Sequence, residues 1–137
     1  MHELTLTATI DNISEATAFV DAQLEELGCP MKAQMQLDIA VDELFGNIAR
    51  YAYAPETGEA TLRFEYDEAE KAVRLTFIDR GVYYDPLKKE DPDVTLSSQE
   101  REVGGLGIFL VKKTMDGMFY ERRDGQNILT VVKKIGV

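Results

Sequence analysis

The chain has 137 residues, 45% of them hydrophobic and 29% charged, which fits one globular domain able to bury roughly two thirds of its unfolded surface without staples. A formal net charge of −10 argues against binding to nucleic acid, whose phosphates are held by clustered Lys and Arg, and suits solubility and partners with basic surfaces. One cysteine (Cys29), no apolar run long enough to span a bilayer, and an N-terminus without a basic region or apolar signal core point to a cytoplasmic protein with no membrane association.

Leu4, Leu6 and Ala8 alternate with Thr5, Thr7 and Thr9, which predicts a first strand. Asp11 and Asn12 offer N-cap side chains to a helix whose apolar positions are Ile13, Ala16, Val20, Leu24 and Leu27, with Gly28 as its C-cap. Pro30 opens a second helix, expected from about Met31 to Tyr53, with Leu37, Val41, Leu44 and Ile48 as its core stripe. Pro55 and Gly58 end it. Alternation then predicts strands near 59–66 and 72–78, joined through the acidic turn Asp67–Glu70. From Arg80 to Val103 periodicity fails and polar residues dominate, and a stretch of that length inside a compact domain is expected to be a functional lid. Ile108, Leu110 and Val111 restore helical spacing to about Met115. A last hairpin pairs 118–123 with 127–134 about the turn signal Asp124-Gly125. The order β-α-α-β-β-lid-α-β-β predicts a single α+β domain over 1–137, a two-layer sandwich with a mixed, mostly antiparallel sheet and helices on one face.

Three local patterns can carry chemistry. Glu43 and Asn47 stand one helical turn apart on the second helix, at the border of its core stripe. There an amide oxygen can bind Mg²⁺, a hard cation, and a carboxylate can take a proton from a hydroxyl or water. Asp79 follows a buried strand and precedes Gly81; its carboxylate can accept from an amino group such as that of adenine, while the glycine lets a planar ring approach the backbone. Gly104-Gly105-Leu106-Gly107 opens a helix, whose unpaired N–H groups and partial positive charge suit phosphate. It lacks the Gly-Lys-Ser/Thr ending of a Walker A loop and follows a polar loop where a dinucleotide fingerprint would follow a strand. The single histidine, His2, stands at the N-terminal end, which argues against a Ser-His-Asp triad, a multi-histidine metal site and autophosphorylation on histidine.

Taken in order, the three patterns resemble the signature of the GHKL (Bergerat-fold) ATPases over nearly the whole chain. Glu43-Leu44-Phe45-Gly46-Asn47 is similar to the N box, Asp79-Arg80-Gly81 to the first glycine box, and Gly104 through Val111 to the second. Asp79 through Pro86, Gly105-Leu106-Gly107-Ile108 with Met115-Asp116, and the closing Asn127-Ile128-Leu129-Thr130 most resemble single-domain serine kinases that act on regulators of bacterial sigma factors. Tyr83 stands where many GHKL members have a second glycine, and Tyr51 where these kinases often have a histidine.

The resemblance implies that ATP sits between the helices and the lid. Asp79 and Gly81, with Thr130 in support, would hold the adenine. Asn47 would bind Mg²⁺, and Gly104, Gly105, Leu106 and Gly107 the phosphates. Glu43 would be the base for a partner's serine or threonine hydroxyl, and Arg101 a contact to phosphate or partner. It further implies a sigma factor and an anti-anti-sigma (STAS-type) substrate as partners, and a homodimer. Two alternatives stand beside it: a non-catalytic ATP-binding module that sequesters a regulatory partner, and the ATPase fragment of a histidine kinase.

Overall fold

The computed structural model describes residues 1–88 and 105–136. Five strands, β1 (His2–Thr7), β2 (Glu59–Asp67), β3 (Ala72–Asp79), β4 (Gly117–Arg123) and β5 (Gln126–Lys134), form one sheet in the order β1-β2-β3-β5-β4. Every strand pairing among the described residues is antiparallel, so the sheet is more uniform than the mixed one expected. The reason lies in the connection after β3: the chain travels out through the third helix and returns through β4, so that β5 runs back along β3.

Three helices, α1 (Ile13–Glu26), α2 (Met31–Asn47) and α3 (Gly105–Thr114), bury their apolar stripes against one sheet face. Ala16, Val20 and Leu24 of α1, Leu37, Val41, Leu44 and Phe45 of α2, and Ile108 and Val111 of α3 meet Leu62, Phe64, Leu75, Phe77, Leu129 and Val131 from the strands. Burying Phe45 or Phe77, both essentially inaccessible, contributes about 1.5–3 kcal/mol each.

Local chemistry sets the element ends. Gly28 takes φ +70 after α1, a left-handed conformation that glycine adopts without a Cβ penalty. Asp124 and Gly125 both have positive φ, 53 and 76, as a two-residue type I′ hairpin requires. Asp67 Oδ1 accepts from the N–H groups of Ala69 and Glu70, closing the β2–β3 turn. Asn12 does not cap α1 with its side chain; its Nδ2 donates instead to Thr7 O at 2.7 Å, which ties β1 to the helix start. The second helix is shorter than its periodicity predicts. After Asn47 the chain widens into a π turn, Ile48–Ala52, a local loosening of the helix often found at functional sites.

Where α1 and α2 pack, Asp21 and Asp38 bring their carboxyls together. The Oδ1 atom of each is buried and receives no donor from the rest of the described protein. Burial, the facing Asp21 carboxyl and the nearby Glu25 charge push Asp38 up to about 7, so the pair shares a proton near neutral pH.

Candidate nucleotide site

The end of β3 anchors the site. Asp79 is 6% exposed and lies opposite Asn127 of β5 in the strand register. Its Oδ1 accepts from the Gly81 N–H at 2.8 Å and from Asn127 Nδ2 at 2.9 Å. Both bonds fall on one oxygen, and Asp79 also lines the cavity described below. Gly81 is required by space: a Cβ there would stand 2.2 Å from Ala52 O. The same close approach lets the Val82 N–H donate to Ala52 O at 2.9 Å, so the π turn that ends α2 is hydrogen-bonded to the segment after β3. Tyr53 adds a second tie, donating to Glu59 O at 2.6 Å and accepting from the Arg80 N–H at 2.8 Å. Arg122 Nη1 reaches Gly81 O at 2.8 Å.

Helix α2 supplies the opposite wall. Glu43 and Asn47 share a face one turn apart, and Asn47 Nδ2 donates to Glu43 Oε1 at 3.4 Å. That bond turns the amide oxygen away from the carboxylate. Gly107, in the first turn of α3, lies directly against Glu43: a Cβ at 107 would come within 2.2 Å of the carboxylate. Only a glycine lets the start of α3 approach this side chain.

Between these walls lies a cavity of about 310 Å³, at the lower end of the range for small-molecule sites. Leu44, Ile48, Phe77 and Leu129 make it apolar within, Asn47, Asp79 and Asn127 supply its polar groups, and Tyr51, Tyr83, Tyr84 and Tyr120 form its rim. Tyr83 meets Tyr120 edge to face, with centroids 5.8 Å apart, and Lys88 stands over the Tyr83 ring. Burial, followed by the Glu43 carboxylate, raises the Tyr84 phenol, and burial followed by Tyr83 raises that of Tyr120. Both hydroxyls are therefore neutral donors at physiological pH.

Of the residues singled out from the sequence, Asn47 and Asp79 line this one cavity, Gly81 braces Asp79 from behind, and Glu43 meets Gly107 beside Asn47. Gly105 and Leu106 lie in the opening turn of α3. Gly104, Arg101 and the greater part of the expected lid fall outside the described residues. Thr130 is a correction. It sits opposite Thr76 in the strand register, and their hydroxyls are 3.2 Å apart, on the sheet face away from the helices. Strand alternation explains this: Asn127, Leu129 and Val131 point to the core, and Thr130 is out of phase with them. Asn127 is the β5 residue that reaches Asp79. Its phase with Leu129 and Val131 was the available signal, whereas the four tyrosines carried none.

The sheet with its helices on one face, the cavity lined by the Asp79 carboxylate and the Asn47 amide, and the glycine-opened helix set against Glu43 beside it make up an architecture of the Bergerat type. In agreement, residues 6–133 match the histidine kinase-like ATPase domain family, and the chain belongs to that family. Among its curated relatives, it is 30% identical over 100 residues to the serine/threonine-protein kinase BtrW of Bordetella bronchiseptica, covering 73% of this chain and 70% of that protein. It is 27% identical over 137 residues to the serine-protein kinase RsbW of Listeria monocytogenes serovar 1/2a, covering 94% of this chain and 86% of that protein. Of solved structures, the histidine kinase AdeS of Acinetobacter baumannii aligns with all of this chain and 70% of its own, at 11% identity and a TM-score of 0.46. No helix among the described residues is long and apolar enough to cross a membrane.

Proposed function

We propose that the protein is an ATP-dependent serine/threonine kinase of the anti-sigma-factor type. The observation that carries this reading is the contact of the Glu43 carboxylate with Gly107 at the start of α3, one turn from Asn47 and beside the cavity that holds Asp79. A purely binding site has no use for a carboxylate where the terminal phosphate of ATP would come to rest.

In this reading Asp79 Oδ2 accepts from the adenine amino group, and the tyrosine rim flanks the base. The N–H groups opening α3 hold the phosphates, and Gly104, Gly105, Leu106 and Gly107 are the residues assigned to them. Asn47 offers its amide oxygen to Mg²⁺. Among the described residues no cluster of three or more His, Cys, Asp or Glu forms a metal cage, so the ion would be held by this amide with phosphate oxygens and water, as Mg²⁺ commonly is at nucleotide sites. Glu43 takes the proton from the partner's hydroxyl as that oxygen bonds to the γ-phosphorus and the bond to ADP breaks. Phosphoryl transfer asks of a protein mainly positioning and charge stabilisation, which this short set supplies.

The substrate of this reading is a STAS-type anti-anti-sigma protein, the sequestered partner is a sigma factor, the active form is a homodimer, and the compartment is the cytoplasm. The named kinase relatives and the acidic surface support it. Single-turnover transfer from ATP to a candidate STAS protein is the test. Glu43→Gln abolishes transfer and leaves binding of a fluorescent ATP analogue largely intact, and Asn47→Ala weakens the Mg²⁺-dependent part of that binding. Unchanged transfer and binding in both variants would show the site to be misassigned.

A further inference from the structure

Helix α2 packs against α1 on one side and α3 on the other, and the row it turns away from the sheet is apolar. Met31, Met35 and Ile39 follow one another at single turns along it, 72, 57 and 48% exposed. Leu110 of α3, 44% exposed, adds a fourth large apolar side chain to the same helical layer. Monomers rarely leave such side chains grouped in water, and methionine is common on surfaces that pack against others. Charge is divided across this layer. On the α1 side Glu15, Glu25 and Glu26 are exposed, with the small exposed residues Ala18 and Ala22 between them. On the α3 side stands Lys113, exposed in the last turn.

Two contacts fix the levels of the three helices. Asp21 of α1 meets Asp38 of α2, and Gly107 of α3 meets Glu43 of α2. Both outer helices run opposite to α2: α1 turns back through Gly28, and α3 leads from Glu43 to Asp116, whose N–H donates to Val132 O at the far end of β5. Ala18 and Ala22 therefore lie level with Val41 and Leu37, and Leu110 level with Ala40 between them. Lys113 lies within one helical turn of the level of Glu25. We propose that this face is the contact between two copies of the chain, related by a two-fold axis that runs along α2. Such an axis sets α2 on its counterpart through Met31, Met35 and Ile39, and lays each α1 over the α3 of the other copy. Leu110 then enters the gap between Ala18 and Ala22 of the partner subunit, and Lys113 reaches Glu25 of the partner subunit, each contact made twice by symmetry. Lys32 and Asp42 flank the stripe, away from Met35, where crossing helices splay apart. An axis across α2 would instead lay α1 on α1 and oppose acid to acid. The proposal gives a surface to the homodimer named above and leaves the nucleotide cavity out of it.

Sedimentation equilibrium of the full chain at physiological salt is the measurement, with thermal unfolding to check each variant and a fluorescent ATP analogue to check the cavity. The wild type is a dimer at about 10 μM, an affinity within the range of interfaces of ordinary size. Met35→Asp sets two charges against each other across the axis and raises the dissociation constant by at least about thirtyfold, as for a central contact. Lys113→Glu and Glu25→Lys each weaken the dimer by about threefold to tenfold, and the double variant returns to within about twofold of the wild type, because reversing both charges restores the pair. Binding of the ATP analogue is the same in all of them. A monomeric wild type, or a dimer that Met35→Asp leaves intact, overturns the inference while the nucleotide reading stands. Single reversals that the double variant does not repair overturn it too, because they remove the two-fold along α2. A dimer that responds as expected but binds no ATP analogue keeps the inference and removes the nucleotide reading. If Met35→Asp does not fold, the two charge reversals and their combination decide.

Discussion

Replacing Asp38 with Asn tests the proton shared between α1 and α2. The wild-type carboxyl titrates near 7 in the folded protein, against 3.8 without the fold. A carboxyl raised on folding contributes its stabilisation fully below its unfolded value and loses it as pH climbs through the folded one. The wild type should therefore weaken from about pH 4 to pH 7 and stay weakened above. The full displacement corresponds to about 4 kcal/mol. Asp38 is only half-buried, and solvent screening reduces this to about 1 kcal/mol, or roughly 3–4 °C for a domain of this size. An Asn at 38 carries a permanent donor for Asp21, so the variant should be the more stable protein at pH 8 and should have a flatter profile between pH 5 and 8. Urea unfolding at several pH values measures both quantities. Asp42→Asn, which removes one negative charge from an exposed position of the same helix, controls for net charge. Equal pH slopes for the wild type and Asp38→Asn, or equal flattening by Asp42→Asn, would refute the shared proton.

Gly107→Ala should separate stability from activity. Alanine favours a helix by about 1 kcal/mol over glycine, yet its methyl would meet the Glu43 carboxylate at 2.2 Å and displace it. The expected result is a melting temperature unchanged or raised with transfer reduced by about a hundredfold, read by single-turnover assay. Tyr53→Phe removes the hydroxyl that bridges Glu59 O and the Arg80 N–H. Thermal unfolding should show a loss of about 1–3 kcal/mol, and a variant as stable as the wild type would show that the bridge contributes nothing.

The sequence was most legible where one element decides a residue's place. The apolar stripe of α2 put Glu43 and Asn47 on a shared face, and the structure has them there. Alternation along β3 ended on Asp79 in the core-facing phase. Legibility failed where two elements decide together. Periodicity carried the second helix through to Tyr53 because the π turn keeps apolar residues turning inward, Ile48 and Ala52 among them. The resemblance of the last strand favoured Thr130, although the phase of Leu129 and Val131 pointed to Asn127. Tyr83 and Tyr84 follow β3 in a segment without periodicity, and only the folded chain brings them beside Tyr51 and Tyr120. Asp21 and Asp38 belong to separate helices, and no local pattern announces that their carboxyls meet.

The cavity draws its walls from α2, the end of β3 and the closing hairpin, from Leu44 to Leu129. No segment of the chain owns the site, so an unfolded chain retains none of it. Occupancy and folding are therefore one thermodynamic event viewed from two sides. A compound that fills the cavity must hold the middle and the last third of the chain together, and at a concentration a hundred times its dissociation constant it adds about 2.7 kcal/mol to the native state. Melting curves alone can rank candidate occupants, before any phosphate acceptor is in hand.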